Sequence, residues 1–376
     1  LLVTDIDDPA QVPGTQISEA MMLVALDRYD EAEELLRLGL RTATSLDDSA
    51  AVSRALEGLG LIASRRGRFD HAVELLERSL ELAGDADPEE RFELYRELAR
   101  LHGEGTNLPR AIELLERCLA GMNARPDHDR AKMVGYTVYL SYAYADEGDY
   151  GHATAVLTEA LRGDAEDIDR ATRSTAFRAL SRLYAVTGQT PLAVDYARRG
   201  LEVAYETGNE WEQANAHLLL AHVLLDDGQA DSAGRELVSA RRAYGDRMSG
   251  MDEGFVAVEE ARRSLQQGDP EGAAERAREA IELLGSLSVP GQLGDAHLAL
   301  ARSYDETGDL DRAEKAYTAA IDALRKQNGW HCELGRAYRW YGKFLRRAER
   351  TEAAMDAFEH AADLAPSNHD RPDPLV

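Results

Sequence analysis

Cysteine is almost absent. Only Cys118 and Cys332 occur in 376 residues, far apart, which excludes a disulfide framework and any thiolate zinc spacing. There are four lysines (Lys132, Lys315, Lys326, Lys343) and no basic block, and 69 acidic residues outnumber 43 basic ones for a net charge of -26. Such a polyanion repels phosphate backbones and anionic lipid, so direct nucleic-acid or membrane-surface binding by this chain is not expected. No apolar run approaches the ~18 residues that span a bilayer. The opening LLVTDIDDPAQVPG is too short and too acidic for a secretory signal. It carries no initiator Met, so the chain is expected to be part of a longer protein, with a cytoplasmic location by default. Nucleotide-binding, metalloprotease, nucleophile-elbow and calcium-loop motifs are all missing. No two polar groups can be paired into catalytic roles, and neither an enzyme, a cofactor nor a metal site is expected.

Aromatics amount to only 6%, while Ala, Leu, Glu and Arg dominate, which is the composition of a helix former. The main signal is self-similarity. Ala32, Ala72, Ala111, Ala153, Ala193, Ala233, Ala273, Ala313 and Ala353 recur at intervals of 39, 40 or 42. Five residues before each stands a turn position: Asp27, Gly67, Thr106, Gly148, Gly188, Gly228, Gly268, Gly308 and Ala348. Glycine at six of these nine is what a helix needs where it ends in a left-handed residue. Seven before each turn lies a small residue (Ala20, Gly60, Ala99, Ser141, Ser181, Ala221, Ala261, Ala301), a rule that Tyr341 breaks in the last unit. Leucines recur around these positions at helical spacing, giving apolar faces that need a neighbouring unit to be buried. The reading is an all-α solenoid of about nine helix pairs.

The small residue, the Gly-x-aromatic turn and the Ala (Gly67-Arg68-Phe69-Asp70-His71-Ala72; Gly148-Asp149-Tyr150-Gly151-His152-Ala153) resemble the tetratricopeptide repeat family over roughly residues 15–365. The resemblance implies a right-handed α-α superhelix that binds protein or peptide on its concave face. The unit here is 40 residues rather than the usual 34 and no proline closes it, which predicts longer second helices. Residues 1–14 read as a linker or fragment end, 15–365 as the array, and 366–376 as a disordered tail. The longest interruptions are expected at 121–130 and 244–254. The acidic run Gly163–Arg170 reads as a solvated loop, Cys118 and His217 as packing residues, and the aromatic last unit (Trp330, Tyr338, Trp340, Tyr341, Phe344) as packing, with a contact surface as the alternative.

The position six before each turn should face inward: Met21, Leu61, Arg100, Tyr142, Arg182, His222, Arg262, Arg302 and Gly342. One helical turn earlier stand Arg96 and Arg178. Arginine's planar fork suits carboxylate or phosphate. Two readings follow for Arg96, Arg100, Tyr142, Arg178, Arg182, His222, Arg262 and Arg302: a groove for an acidic or carboxylate-bearing ligand, or a set of ion pairs with acidic neighbours. Segments such as GDAHLALARSYDETGDLDRAEKAYTAAIDAL, within 170–365, are similar to the repeats of actinobacterial XRE-type helix-turn-helix regulators. That similarity implies the sensory part of a transcriptional regulator; a free-standing scaffold or adaptor is the alternative. The two-Lys, two-Asn, Arg clamp of chaperone-tail adaptors in this family has no counterpart at Ile17, Met21, Glu57, Leu61, Arg96 and Arg100.

Overall fold

A computed structural model of the chain describes residues 12–26, 28–82, 92–104, 107–124, 129–162, 168–287, 289–326 and 331–365. The expectations placed on 1–11, Asp27, Thr106, 163–167, Trp330 and 366–376 lie outside these residues. Eighteen α-helices occur among the described residues, and within each unit every helix packs against the next. The chain is all-α. It divides into two compact units, residues 1–128 and 129–376.

The first unit holds α1 (Val12–Ala25), α2 (Tyr29–Ser45), α3 (Ser49–Arg65), α4 (Phe69–Leu82), α5 (Phe92–Glu104) and α6 (Leu108–Asn123). Ile17, Ala20, Ala32, Leu36 and Ala55 form the core of its first pairs. Gly60 shows why a small residue is required: a Cβ there would lie 2.6 Å from Leu76, which is fully buried and cannot retreat.

The second unit holds α7 (Arg130–Glu147), α8 (Tyr150–Ala160), α9 (Arg170–Val186), α10 (Thr190–Thr207), α11 (Glu210–Asp226) and α12 (Ala230–Tyr244). It continues with α13 (Gly250–Gln266), α14 (Pro270–Leu284), α15 (Pro290–Glu306), α16 (Leu310–Arg325), α17 (His331–Arg347) and α18 (Thr351–Asp363). The odd-numbered helices α7 to α17 also pack on one another in succession and form one layer.

Each of the six glycine turn positions adopts a left-handed backbone, with φ from 71° at Gly67 to 92° at Gly148. The next amide then donates back into the helix, as Gln229 does to Leu224 O at 2.8 Å and Asp309 to Tyr304 O at 2.9 Å. This satisfies carbonyls that a helix end leaves open. Asp149, Asp269 and Asp309 follow three of these turns directly and cap the next helix with their carboxylates.

Three sequence expectations are corrected. The extra length does not sit in the second helix alone: α3, α9, α11, α13, α15 and α17 each have 17 residues, and second helices run from 11 in α8 to 18 in α10. The interruption at 244–254 is shorter than expected, because Ser249 and Asp252 form a capping box that starts α13 at Gly250. In the last unit the left-handed residue is Glu349 (φ 59°), not Ala348. That one-residue offset makes Gly342, against Phe358, the small residue in place of Tyr341, and makes Ala354 the buried alanine. The last unit therefore obeys the repeat rule, one residue late.

Candidate binding groove

Within the second unit the inner helices surround a groove of about 860 Å³. Successive turns of each helix supply it: Tyr142 and Asp146 from α7, Arg178 and Arg182 from α9, Leu218, Leu219 and His222 from α11, Phe255, Val258 and Glu259 from α13, Asp295 from α15, and Glu333, Arg336 and Arg339 from α17. Spacings of three and four place such residues on one helix face. Helices five repeats apart meet across it: Cys332 of α17 packs on the apolar cluster of α7 to α13. Burial, together with the neighbouring Cys332 thiol and Glu333 carboxylate, pushes the Tyr150 phenol up.

One wall is a charged network joining four helices. His222 Nδ1 lies 2.8 Å from Glu259, Arg262 lies 2.6 Å from Glu259 and 2.5 Å from Asp226, and Arg336 lies 2.7 Å from Asp295 and 3.8 Å from Asp226. Burial opposes the charge on His222, but Glu259 with Asp226 outweighs it and holds the imidazole above its ordinary value against the repulsion of Arg262. Burial likewise disfavours the Asp226 carboxylate, and His222, Arg262 and Arg336 overcome it and hold it low.

The remaining cations differ. Among the described residues Arg178 and Arg339 make no hydrogen bond or ion pair. Arg182 faces Asp146, whose carboxyl burial pushes up to about 6 against the pull of that guanidinium. Between these charges the lining is apolar, with Leu218, Leu219, Phe255 and Val258, and Trp211 more than half exposed beside them.

Of the residues singled out in the sequence, Tyr142, Arg178, Arg182 and His222 line the groove. Arg262 and Arg302 line a smaller cavity of about 170 Å³ that shares Asp226, Asp295 and Arg336 with it. Arg262 is taken up by Glu259 and Asp226 and so belongs to the network. Arg96 and Arg100 lie in the first unit, where Arg100 bonds Glu97 at 2.6 Å and Ser64 at 2.7 Å, and Arg96 adds its charge beside Glu97. His217 is buried, bonded to Glu236 at 2.7 Å and to the Tyr205 hydroxyl at 2.8 Å, and Cys118 is buried. Sequence reading missed Arg336 and Arg339. Counted from Glu349, Arg339 stands ten before the turn, the place that Arg178 holds in its own unit.

Family models for the tetratricopeptide repeat match residues 14–85, and a second such model matches 258–328 and 298–369. The chain is a tetratricopeptide repeat protein. Several solved structures share its fold. The apo form of the quorum sensor NprR from B. thuringiensis has a TM-score of 0.65 at 14% identity, over 84% of this chain and 88% of that one. A Rap protein complexed with competence and sporulation factor has a TM-score of 0.63 at 12% identity, over 95% and 98%. The Rap conjugation gene regulator of plasmid pLS20, in complex with the Phr* peptide, has a TM-score of 0.57 at 13% identity, over 94% of each chain. No curated protein matches this tetratricopeptide repeat chain. Among its described residues no helix is long and apolar enough to cross a membrane.

Proposed function

We propose that the groove of the second unit binds an extended peptide bearing apolar side chains and at least one carboxylate, and that the protein is the effector-binding part of a transcriptional regulator. The observation that carries the peptide reading is a pair of groove arginines, Arg178 and Arg339, that no carboxylate of the described residues neutralises. Most other cations of the inner layer already have partners. A carboxylate on the ligand gives each free guanidinium a charge-assisted, two-point bond. Leu218, Leu219, Phe255 and Val258 accept apolar side chains between those anchors. The regulator reading draws on the similarity to the quorum sensor NprR and to a conjugation gene regulator that is complexed with a peptide.

A random hexapeptide pool, passed over the immobilised full chain and read by mass spectrometry, tests the first part. Retained peptides are expected to be enriched in Asp, Glu or a free C-terminus, and to be lost when Arg178→Ala is combined with Arg339→Ala. Equal retention by both proteins refutes the groove. For the second part, the double variant in the cell is expected to change a defined set of transcripts; an unchanged transcript profile removes the regulator reading.

A further inference from the structure

Arg302 is a half-buried cation of the inner layer with only weak internal pairing. Its guanidinium lies over the Trp340 ring, with Cζ 4.1 Å from the centroid, at the wall of the 170 Å³ cavity. Its carboxylate neighbour is Glu306, at 4.0 Å and on the same helix, with a side chain 42% exposed. The other acids at the cavity are already engaged. Asp226 is shared between Arg262 and His222, and Asp295 is held by Arg336. Burial pulls the Arg302 guanidinium below its ordinary value, and Arg262 and Arg336 repel it further against Glu306. Two buried N–H groups, Arg302 Nε and Arg336 Nε, have no acceptor among the described residues, and both side chains line this cavity. A buried donor without an acceptor is destabilising, more so when it carries charge. Leu225, Leu298 and Ala299 supply apolar walls. The cavity is about a fifth of the groove's volume, room for one short acidic group rather than a peptide chain.

We infer that this cavity is a carboxylate pocket, in which Arg302, held over the Trp340 ring, and Arg336 receive one carboxylate on a short apolar stem. The carboxylate comes either from an acidic side chain of a peptide lying in the adjoining groove, which rests on the groove reading above, or from a free small acid. The pocket and the groove share Asp226, Asp295 and Arg336, so a chain in the groove reaches the pocket with one side chain. Binding supplies the acceptor that Arg302 Nε lacks and adds to the weak counter-charge of Glu306.

The test uses the full chain with glutarate as probe and chloride at equal ionic strength as control. Thermal unfolding and isothermal titration are the readouts. In the wild type the unfolding midpoint rises with glutarate and not with chloride. Arg302→Met, which keeps the apolar stem on Trp340, is expected to raise or preserve the ligand-free midpoint and to weaken glutarate binding by about ten- to a hundredfold. Arg302→Lys keeps the charge and retains part of the binding, which guards against a folding defect in the first variant. The inference is overturned if the wild type does not respond to glutarate, or if Arg302→Met responds as the wild type does. A capped pentapeptide with one Glu among alanines separates the two sources. Tighter binding than glutarate, with the excess lost in Arg178→Ala/Arg339→Ala, marks the peptide; binding of glutarate alone marks the free acid. Peptide binding that survives the double variant but not Arg302→Met keeps the pocket and removes the groove; the opposite pattern removes the pocket.

Discussion

Asp146 is the groove carboxyl with the most unusual protonation. Burial pushes it up to about 6, with Arg182 opposing. In an unfolded chain the same group titrates near ~3.9. The folded state therefore holds its proton over a range in which the unfolded state has lost it. Stability from this group is fully present below about pH 4 and is lost as the pH rises through about 6. Asp146→Asn should then stabilise the protein at pH 7 by up to ~2–3 kcal/mol, at 1.36 kcal/mol per pKa unit, and have no effect at pH 4. Carbon-detected NMR of the Asp146 carboxyl reads the midpoint directly; a midpoint near the unfolded value refutes the assignment. A contrast between two arginines belongs to the same scale. Arg262→Ala leaves Glu259 and Asp226 buried without their main counter-charge and should cost about 3–5 kcal/mol in urea denaturation. Arg178→Ala, with no partner among the described residues, should stay within about 0.5 kcal/mol of wild type. Both arginines hold neighbouring inward positions in the sequence pattern, and only the placement of acids on the adjacent helices tells them apart.

At the scale of the helix pair, the repeat rule is a steric one. Gly60→Ala gains helix propensity, yet its Cβ would meet Leu76 at 2.6 Å inside a filled core. A net loss of about 1–3 kcal/mol is expected, measured by chemical denaturation, since overpacking outweighs a propensity gain of ~1 kcal/mol. A variant as stable as wild type would show that the pair can open at no cost. The glycine and alanine positions were legible in the sequence because backbone conformation and close approach tolerate few residues there. Register at the end of the array was not: Ala348 occupies the expected turn position, and only the left-handed Glu349 shows that α17 ends one residue late. That single residue concealed Arg339, hence half of the arginine pair on which the groove reading rests. The charged network was hidden for a different reason. Asp226 and Glu259 stand at unlike places in their repeats, and Asp295 and Arg336 fall at one shared place only when the last unit is counted from Glu349, so no periodic pattern singles the four out; their meeting depends on helices up to three repeats apart.

For the whole molecule, the division into 1–128 and 129–376 gives the groove an address. Every residue lining it lies between Tyr142 and Arg339. A fragment spanning 129–376 should therefore bind a groove ligand with the affinity of the full chain; loss of binding in a fragment that remains helical would mean that the first unit contributes to the site. The chain's net charge of -26 makes an acidic ligand an unexpected partner at long range. At short range the unpartnered guanidiniums dominate, because Coulomb interactions beyond a Debye length of about 10 Å at 0.1 M salt are largely screened. The decisive measurement is a binding cycle by isothermal titration: a library-selected peptide and its Asp/Glu→Asn/Gln counterpart, each against wild type and Arg178→Ala/Arg339→Ala. Neutralising the peptide should weaken binding to the wild type by about tenfold or more and leave the double variant almost indifferent, so that the two changes couple by more than about 1 kcal/mol. Equal losses for both proteins would contradict the account, since the peptide's carboxylates would then be read somewhere other than on these arginines.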